Sequence, residues 1–452
     1  KIYKKNMKSL IALCLLALIA AAAAVSIDTE IVGRVWYVAG RFDRLKNTDG
    51  TWFAANNLAT WDGTKWSTVG EKGTNGAVYT IKIDGKFNIM IGGNFTTVNG
   101  VATGPVARYN AVDKKWEAIN GGGSFSPGSK VHALATNCFS LTLQGLKSTT
   151  NSRCDVYFGG HFNLTGTGFS ASNIARWHQK TSDSGEIQSL GDHGIKGTVY
   201  ALYKKSYPTL TEDSSKYLWV GGDLKGTAKY FGRIEDVESS PKMVALDDNM
   251  NGAVRAFRYV IKFIAGQTDR LFLAGDFKFT SSNSVRCYQA CEYNHKDKKF
   301  VAFAGTESPN FDDGVAWDIA LNGEDVFVGG SFTKPFKYVA QIPNGKTSWD
   351  AVHGAQSTHI DFPVRTLDVC SIYSKSCKAG SVAAGSAKGE IKFYDHEKGE
   401  WRNFGGAKNP LNTTMPMDQP SLSAIYSYAA AGNVKLTFAV LAIVAAVAMI
   451  VV

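Results

Sequence analysis

The hydrophobic pattern of this chain is short and punctuated. An apolar run ending in small residues recurs seven times along the 452 residues. The copies read Val35-Trp-Tyr-Val-Ala-Gly-Arg-Phe42, Ile89-Met-Ile-Gly-Gly-Asn-Phe95, Val156-Tyr-Phe-Gly-Gly-His-Phe162, Leu218-Trp-Val-Gly-Gly-Asp-Leu224, Leu271-Phe-Leu-Ala-Gly-Asp-Phe277 and Val326-Phe-Val-Gly-Gly-Ser-Phe332. A degenerate seventh copy is Val382-Ala-Ala-Gly-Ser-Ala387. The second glycines, Gly40, Gly93, Gly160, Gly222, Gly275, Gly330 and Gly385, are spaced 53, 67, 62, 53, 55 and 55 residues apart. Two further runs follow each copy. One carries Trp61, Tyr109, Trp177, Ile234, Tyr293, Ile342 or Tyr394; the next opens with Trp66, Trp116, Ile187, Met243, Phe300, Trp349 or Trp401. Turn-forming stretches such as Asp62-Gly63-Thr64 separate them.

An alternating strand precedes six of the seven glycine runs: Val78–Ile81, Val131–Leu134, Val199–Leu202, Val254–Phe257, Val315–Ile319 and Val364–Leu367. The first glycine run has no such strand ahead of it. A matching segment, Leu422–Tyr426, lies at the far end. The pattern therefore predicts an all-β, seven-bladed β-propeller of four antiparallel strands per blade. Its first blade is completed by the C-terminal strand, which leaves no terminal edge unpaired.

The paired glycines after an apolar strand, followed by an aromatic and a Trp seven residues apart (Tyr109 to Trp116, Tyr394 to Trp401), resemble kelch-type propellers. The fuller phrase Gly-Gly-Asn-Phe-Thr…Ala-Arg-Tyr/Trp…Trp…Leu-Gly is similar to that of fungal cortical polarity-marker proteins. That resemblance covers residues 30–428 and implies a membrane-anchored surface propeller. Leu224 in place of Phe and Ala384 in place of the first Gly depart from it. The glycines let a strand end turn or approach a neighbouring blade, while the following Phe and the later Trp66, Trp116, Trp349 and Trp401 wedge between blades. These are architectural positions, and no cofactor is implied.

Composition changes the picture at the ends of the chain. Charged residues are 19%, and five lysines at the ends, Lys1, Lys4, Lys5, Lys8 and Lys435, carry half of the net charge of +10. The remaining +5 is a mildly basic surface, and no Lys/Arg cluster interleaves with aromatics, so no nucleic-acid partner is expected. Residues 1–24 read as an N-terminal extension and secretory signal, with cleavage near Ala24; residues 25–428 are the propeller. Residues 429–452 read as a GPI-attachment signal or a membrane anchor. Together they place the protein at the cell surface, facing the exterior.

Six cysteines lie beyond the signal, an even count that suits disulfides in a secreted chain. Cys138 with Cys154, and Cys370 with Cys377, flank equivalent strand connections and are expected to staple hairpins. Cys287 and Cys291 remain, either as a third bridge at a turn or bulge or as a free or metal-bound pair. Sequons stand at Asn94, Asn163 and Asn412, all on the face carrying the connections from second to third and from fourth to first strands. The closing strand ends on the other face.

The sequence holds no histidine pair at metal-ligand spacing and no nucleophile elbow or phosphate loop. A recognition or cortex-marker protein binding a protein or glycan at its loop faces is the expected function. The alternative is an extracellular enzyme on a propeller scaffold: a copper-radical oxidase of galactose-oxidase type would need a free Cys joined to Tyr and two His ligands, and a glycan-active enzyme would need carboxylates at the channel mouth. A passive surface-coat glycoprotein is the third reading.

Overall fold

The computed structural model describes residues 35–428, apart from 84–87, 139–153, 181–183, 191–194, 205–216, 227, 238–239, 247–248, 261–269, 281–284, 296, 304–310, 312–313, 335, 347, 353–359, 370–380, 387–388, 396–398, 404–410 and 413–420. For 138, 411–412 and 421–428 it describes the backbone alone. The signal and anchor segments, Cys370 and Cys377 lie outside the described residues.

The described residues form strands and no helix. Blade 1 joins Ser421–Tyr428, Val35–Arg41, Leu58–Trp61 and Trp66–Thr68 in that order, so the last strand of the chain closes the first sheet. Tyr37 pairs with Tyr426, and Val38 with Ile425. Blades 2 to 5 run Ala77–Ile83 to Lys115–Ala118, Lys130–Cys138 to Gly185–Ser189, Lys196–Lys204 to Lys242–Val244 and Val254–Val260 to Lys299–Ala302. Blade 6 has Ala316–Asn322, Asp325–Gly330 and Val339–Ile342, with its fourth position reduced to a bridge between Gln341 and Asp350. Its inner strand starts one residue later than the Val315 expected from the repeat. Blade 7 spans Val364–Val369 to Glu400–Asn403. Below, strands A to D run from the innermost strand outward.

Seven hydrophobic clusters hold these sheets together, each shared by two successive blades. The cluster joining blades 7 and 1 contains Ala383 and Ile391 with Trp36, Phe42 and Trp66, which closes the ring. In blades 1 to 6 the residue after Gly-Gly-x faces the preceding blade. Phe42, Phe95, Phe162, Leu224, Phe277 and Phe332 each belong to the cluster their blade shares with the one before. The strand-D tryptophans do the same: Trp66, Trp116 and Trp349 are buried there, and Trp401 packs against its cluster. Each also meets a strand-C aromatic or a neighbouring blade. Trp61 pairs with Trp66 and Tyr109 with Trp116, ring centroids 4.9 and 5.3 Å apart. Cross-strand aromatic pairs of this kind add to sheet stability beyond the area they bury.

The two glycines of each run do different jobs. A Cβ on the first, as at Gly221, would sit 2.8 Å from Cγ1 of Val254 in the next blade. A Cβ on the second, as at Gly222, would collide with the Thr198 carbonyl of its own inner strand. That carbonyl crowds the glycine because the inner strand bulges there. Val199 opposes Gly222 and Ala201 opposes Gly221, leaving Tyr200 as the extra residue. The same one-residue bulge occurs in the A–B pairing of every blade, at residues 79, 132, 200, 255, 317, 365 and, on the C-terminal strand, 423.

A second recurring device lies just before strand C, where Asn57, Tyr230, Gln289 and Tyr338 adopt φ between 64° and 69°, and within the long strand C of blade 3 at Asn173, with φ 63°. The amides of Gly40, Gly222, Gly275 and Gly330 donate to the carbonyls of Asn57, Tyr230, Gln289 and Tyr338. Asn173 adds side-chain bonds: it accepts from the Phe162 amide at 2.9 Å and donates to the Ile195 carbonyl at 2.7 Å, just ahead of the next blade. Asn57 makes the equivalent pair with Phe42 and Thr74. Asn173→Ala is expected to lose about 2 kcal/mol from the two bonds, plus its tolerance of left-handed backbone, in a urea unfolding titration.

A small sheet not foreseen from the sequence joins Arg44–Lys46, Trp52–Ala54 and Leu411–Asn412. It ties the B–C connection of blade 1 to the link that leads into the closing strand.

Candidate functional site: the mouth of the central channel

The bulges decide what lines the axis of the ring. The bulged residues of blades 2 to 7, Tyr79, His132, Tyr200, Arg255, Trp317 and Arg365, all face one central cavity of about 180 Å³. They lie near the start of each inner strand, so the cavity opens on the face that carries the B–C and D–A connections.

Around that mouth the side chains form a belt. Tyr79 and His132 stack in parallel with centroids 5.0 Å apart, and His132 meets Tyr200 edge-on at 5.4 Å. The Arg255 guanidinium lies 4.4 Å from the Tyr200 ring centroid, and that of Arg365 4.5 Å from the Trp317 ring centroid. Both distances are typical of cation–π contacts. The residue after the second glycine closes in from strand B. Asp276 accepts from Arg255 Nη2 on its Oδ2 at 2.5 Å, and from Nε on both oxygens, at 3.1 Å on Oδ2 and 3.2 Å on Oδ1. Deeper in the channel, Asp318 accepts from the Leu367 amide at 2.9 Å and stands 3.4 Å from Arg258.

The channel is electrostatically positive at its mouth. Burial, then Lys130, Arg255 and His161, lower the pKa of His132 to about 4. Burial and Arg258 pull Lys82 down to about 8, against the attraction of Asp368 and Asp318. Burial and Arg255 lower the pKa of Arg365, which Asp276 only partly offsets. Burial also works against the charge on Arg255, but hydrogen bonds and charge from Asp276 outweigh it and raise its pKa.

The His132 shift has a stability consequence. Between its ordinary value of 6.5 and about 4, the unfolded chain binds a proton at this residue that the folded chain does not. Stability is therefore full above pH 6.5 and falls as pH drops through that window. His132→Phe is expected to flatten that part of the pH–stability curve, and an NMR titration of the folded protein should place His132 near 4.

The residues singled out from the sequence sit elsewhere in the ring. Asn94 and Asn163 are exposed at the ends of or within strands B, with Asn163 accepting from the Ser172 hydroxyl at 2.8 Å. Asn412 pairs through its backbone with Arg44. Cys287 and Cys291 are disulfide-bonded, with Cα atoms 4.9 Å apart, across a turn in which Tyr288 and Gln289 both have positive φ. Cys154 is disulfide-bonded and stands opposite Cys138 in register. Among the described residues no three His, Cys, Asp or Glu side chains converge in a way that could hold a metal ion. The belt itself was not singled out from the sequence. Its signal was there: aligned on their glycines, blades 2 to 7 carry Tyr, His, Tyr, Arg, Trp and Arg at the bulged position, preceded by Val in five of the six.

No protein-family model matches the sequence, and no curated protein does. Among solved structures the chain is similar to one in the crystal structure of the mitotic checkpoint complex, at 13% identity and a TM-score of 0.45. That match covers 84% of this chain and 94% of the other. It is also similar to the computationally designed Ika8 protein in a P63 crystal, at 13% identity and TM-score 0.44, covering 89% and 99%. At that level of likeness, the propeller stands on the strand pairing described above.

Proposed function

We propose that the protein is a membrane-held recognition module that presents the channel mouth to a partner outside the cell. One observation carries the reading. In a sevenfold repeat, positions that serve the architecture recur from blade to blade, whereas the bulged position does not. In blades 2 to 7 it holds aromatic and cationic side chains gathered around one opening, residue types suited to binding, while the closing strand of blade 1 carries Ser423 there. A propeller supplies what such a site needs, because the belt is mounted on paired strands and not on loops.

The cell-surface setting rests on the sequence. The signal-like residues 1–24 and the apolar residues 429–452 support secretion and anchoring, by GPI or by a spanning tail. The closing strand ends on the face opposite the mouth, so a tail held there would turn the mouth outward. Glycans at Asn94, Asn163 and Asn412 would then ring the outward face, and the Cys138–Cys154 and Cys370–Cys377 bridges would suit the oxidising compartment. A cortical marker, the role to which the resemblance with fungal polarity markers points, fits the same arrangement.

Site-specific photo-crosslinkers on intact cells test this. Exposed Lys225 and Lys278 lie on the mouth face, and exposed Lys65 and Lys114 on C–D turns of the opposite face. Adducts from the first pair and none from the second support the reading; the reverse pattern, or no adduct from any position, overturns it.

A further inference from the structure

Resting on the recognition reading above, we propose that the channel mouth is a receptor for a single carboxylate group, with Arg365 as its ligand. The charges at the channel can be paired off one by one. Arg255 is answered by Asp276, its Nη2 2.5 Å from the carboxylate. Arg258 is answered by Asp318 at 3.4 Å, and Lys82 lies in the field of Asp368 and Asp318. Arg365 remains. Among the described residues it forms no ion pair, and its one close partner is the Trp317 ring, 4.5 Å away.

A ring face holds a guanidinium flat without neutralising it, so the N–H groups along its edge stay available to an acceptor. The neighbouring rings offer less to a neutral ligand. Tyr79 and His132 stack on each other, and Tyr200 carries Arg255. Arg365 is exposed at the mouth; partial desolvation and the like charge of Arg255 still disfavour its cation, and a bound anion relieves the repulsion. One surplus charge in a cavity of about 180 Å³ matches a monoanion of the size of one acidic side chain or one uronic acid ring. A carboxylate fits the guanidinium fork two-to-two, whereas a dianionic phosphate would leave a negative charge unanswered.

The full chain in detergent micelles is titrated calorimetrically with D-glucuronate and with N-acetyl-L-aspartate amide, the two sources of the group. Glucose and N-acetyl-L-asparagine amide are the neutral counterparts, and inorganic phosphate the competing anion. The expected result is saturable one-to-one binding of at least one carboxylate, no binding of either neutral counterpart, and weaker binding of phosphate. Arg365→Gln should weaken carboxylate binding at least tenfold, and Arg365→Lys by less. Raising NaCl should weaken it in the wild-type chain, which gives a readout needing no variant. No saturable carboxylate binding, unchanged affinity in Arg365→Gln, or phosphate binding tighter than both carboxylates overturns the assignment. Crosslinking from Lys225 separates the two levels. A partner adduct that persists in Arg365→Gln leaves the recognition reading standing and removes the carboxylate; no adduct in the wild-type chain removes the recognition reading by itself.

Discussion

Trp219→Ala should lose about 3–5 kcal/mol of stability, the cost of truncating a large fully buried aromatic. Trp219 is 1% exposed and sits on strand B of blade 4. Its indole stacks on Phe231 of the same blade, with centroids 5.3 Å apart and planes 4° from parallel. It also meets Tyr293 of blade 5 edge-on at 5.5 Å. The cavity would open at the seam between two sheets, and those sheets are held together there by side-chain packing. The loss therefore falls on blade-to-blade adhesion. Chemical denaturation should show a lowered midpoint, and amide exchange should rise in both blades 4 and 5. Exchange confined to blade 4 would contradict the seam's role.

Gly222→Ala should be nearly as damaging, although it adds a single methyl group. The new Cβ meets the backbone carbonyl of Thr198, which cannot move without undoing the inner-strand bulge. Overpacking a well-packed site costs about 1–3 kcal/mol, and a clash with backbone belongs at or above the top of that range. The control is Gly50→Ala, where φ is +86° and nothing lies within 4 Å of the added carbon. There only the left-handed backbone is penalised, by about 1–2 kcal/mol. A Gly222→Ala loss no larger than that of Gly50→Ala would mean that the second glycine does not serve the bulge. A true loss should also disturb Tyr200, the bulged residue itself, and with it the mouth.

Much of this architecture was legible in the sequence because a propeller repeats its chemistry. Trp61 and Trp66, Tyr109 and Trp116, and Tyr394 and Trp401 were visible as spaced aromatics, and they are register partners across the C–D hairpins. The closing strand was legible because blade 1 lacked an inner strand and Leu422–Tyr426 had no blade of its own. The bulge was not. A one-residue insertion hides inside a strand such as Val78-Tyr-Thr-Ile81, whose alternation looks unbroken until its partner's register is known. The left-handed Asn57 and Asn173 were hidden for a related reason, since an Asn at a strand boundary reads as any turn residue. The sheet joining Arg44–Lys46 to Leu411–Asn412 was out of reach, because strands of three and two residues carry too little pattern to pair across the length of the chain. The candidate site shared the fate of the bulge. A search for nucleophiles and metal ligands passes over residues that become neighbours only when the ring is closed.

The mouth exists only if the C-terminal strand completes blade 1, and cysteine crosslinking tests that most directly. In the register described, Tyr37 opposes Tyr426, while Ile425 opposes Val38. The double variant Tyr37→Cys/Tyr426→Cys should form a bridge under mild oxidation, detected by peptide mapping without reduction. Tyr37→Cys/Ile425→Cys should not, because adjacent residues on a strand point to opposite faces. Equal crosslinking in the two variants, or none in the first, would contradict a ring closed in this register.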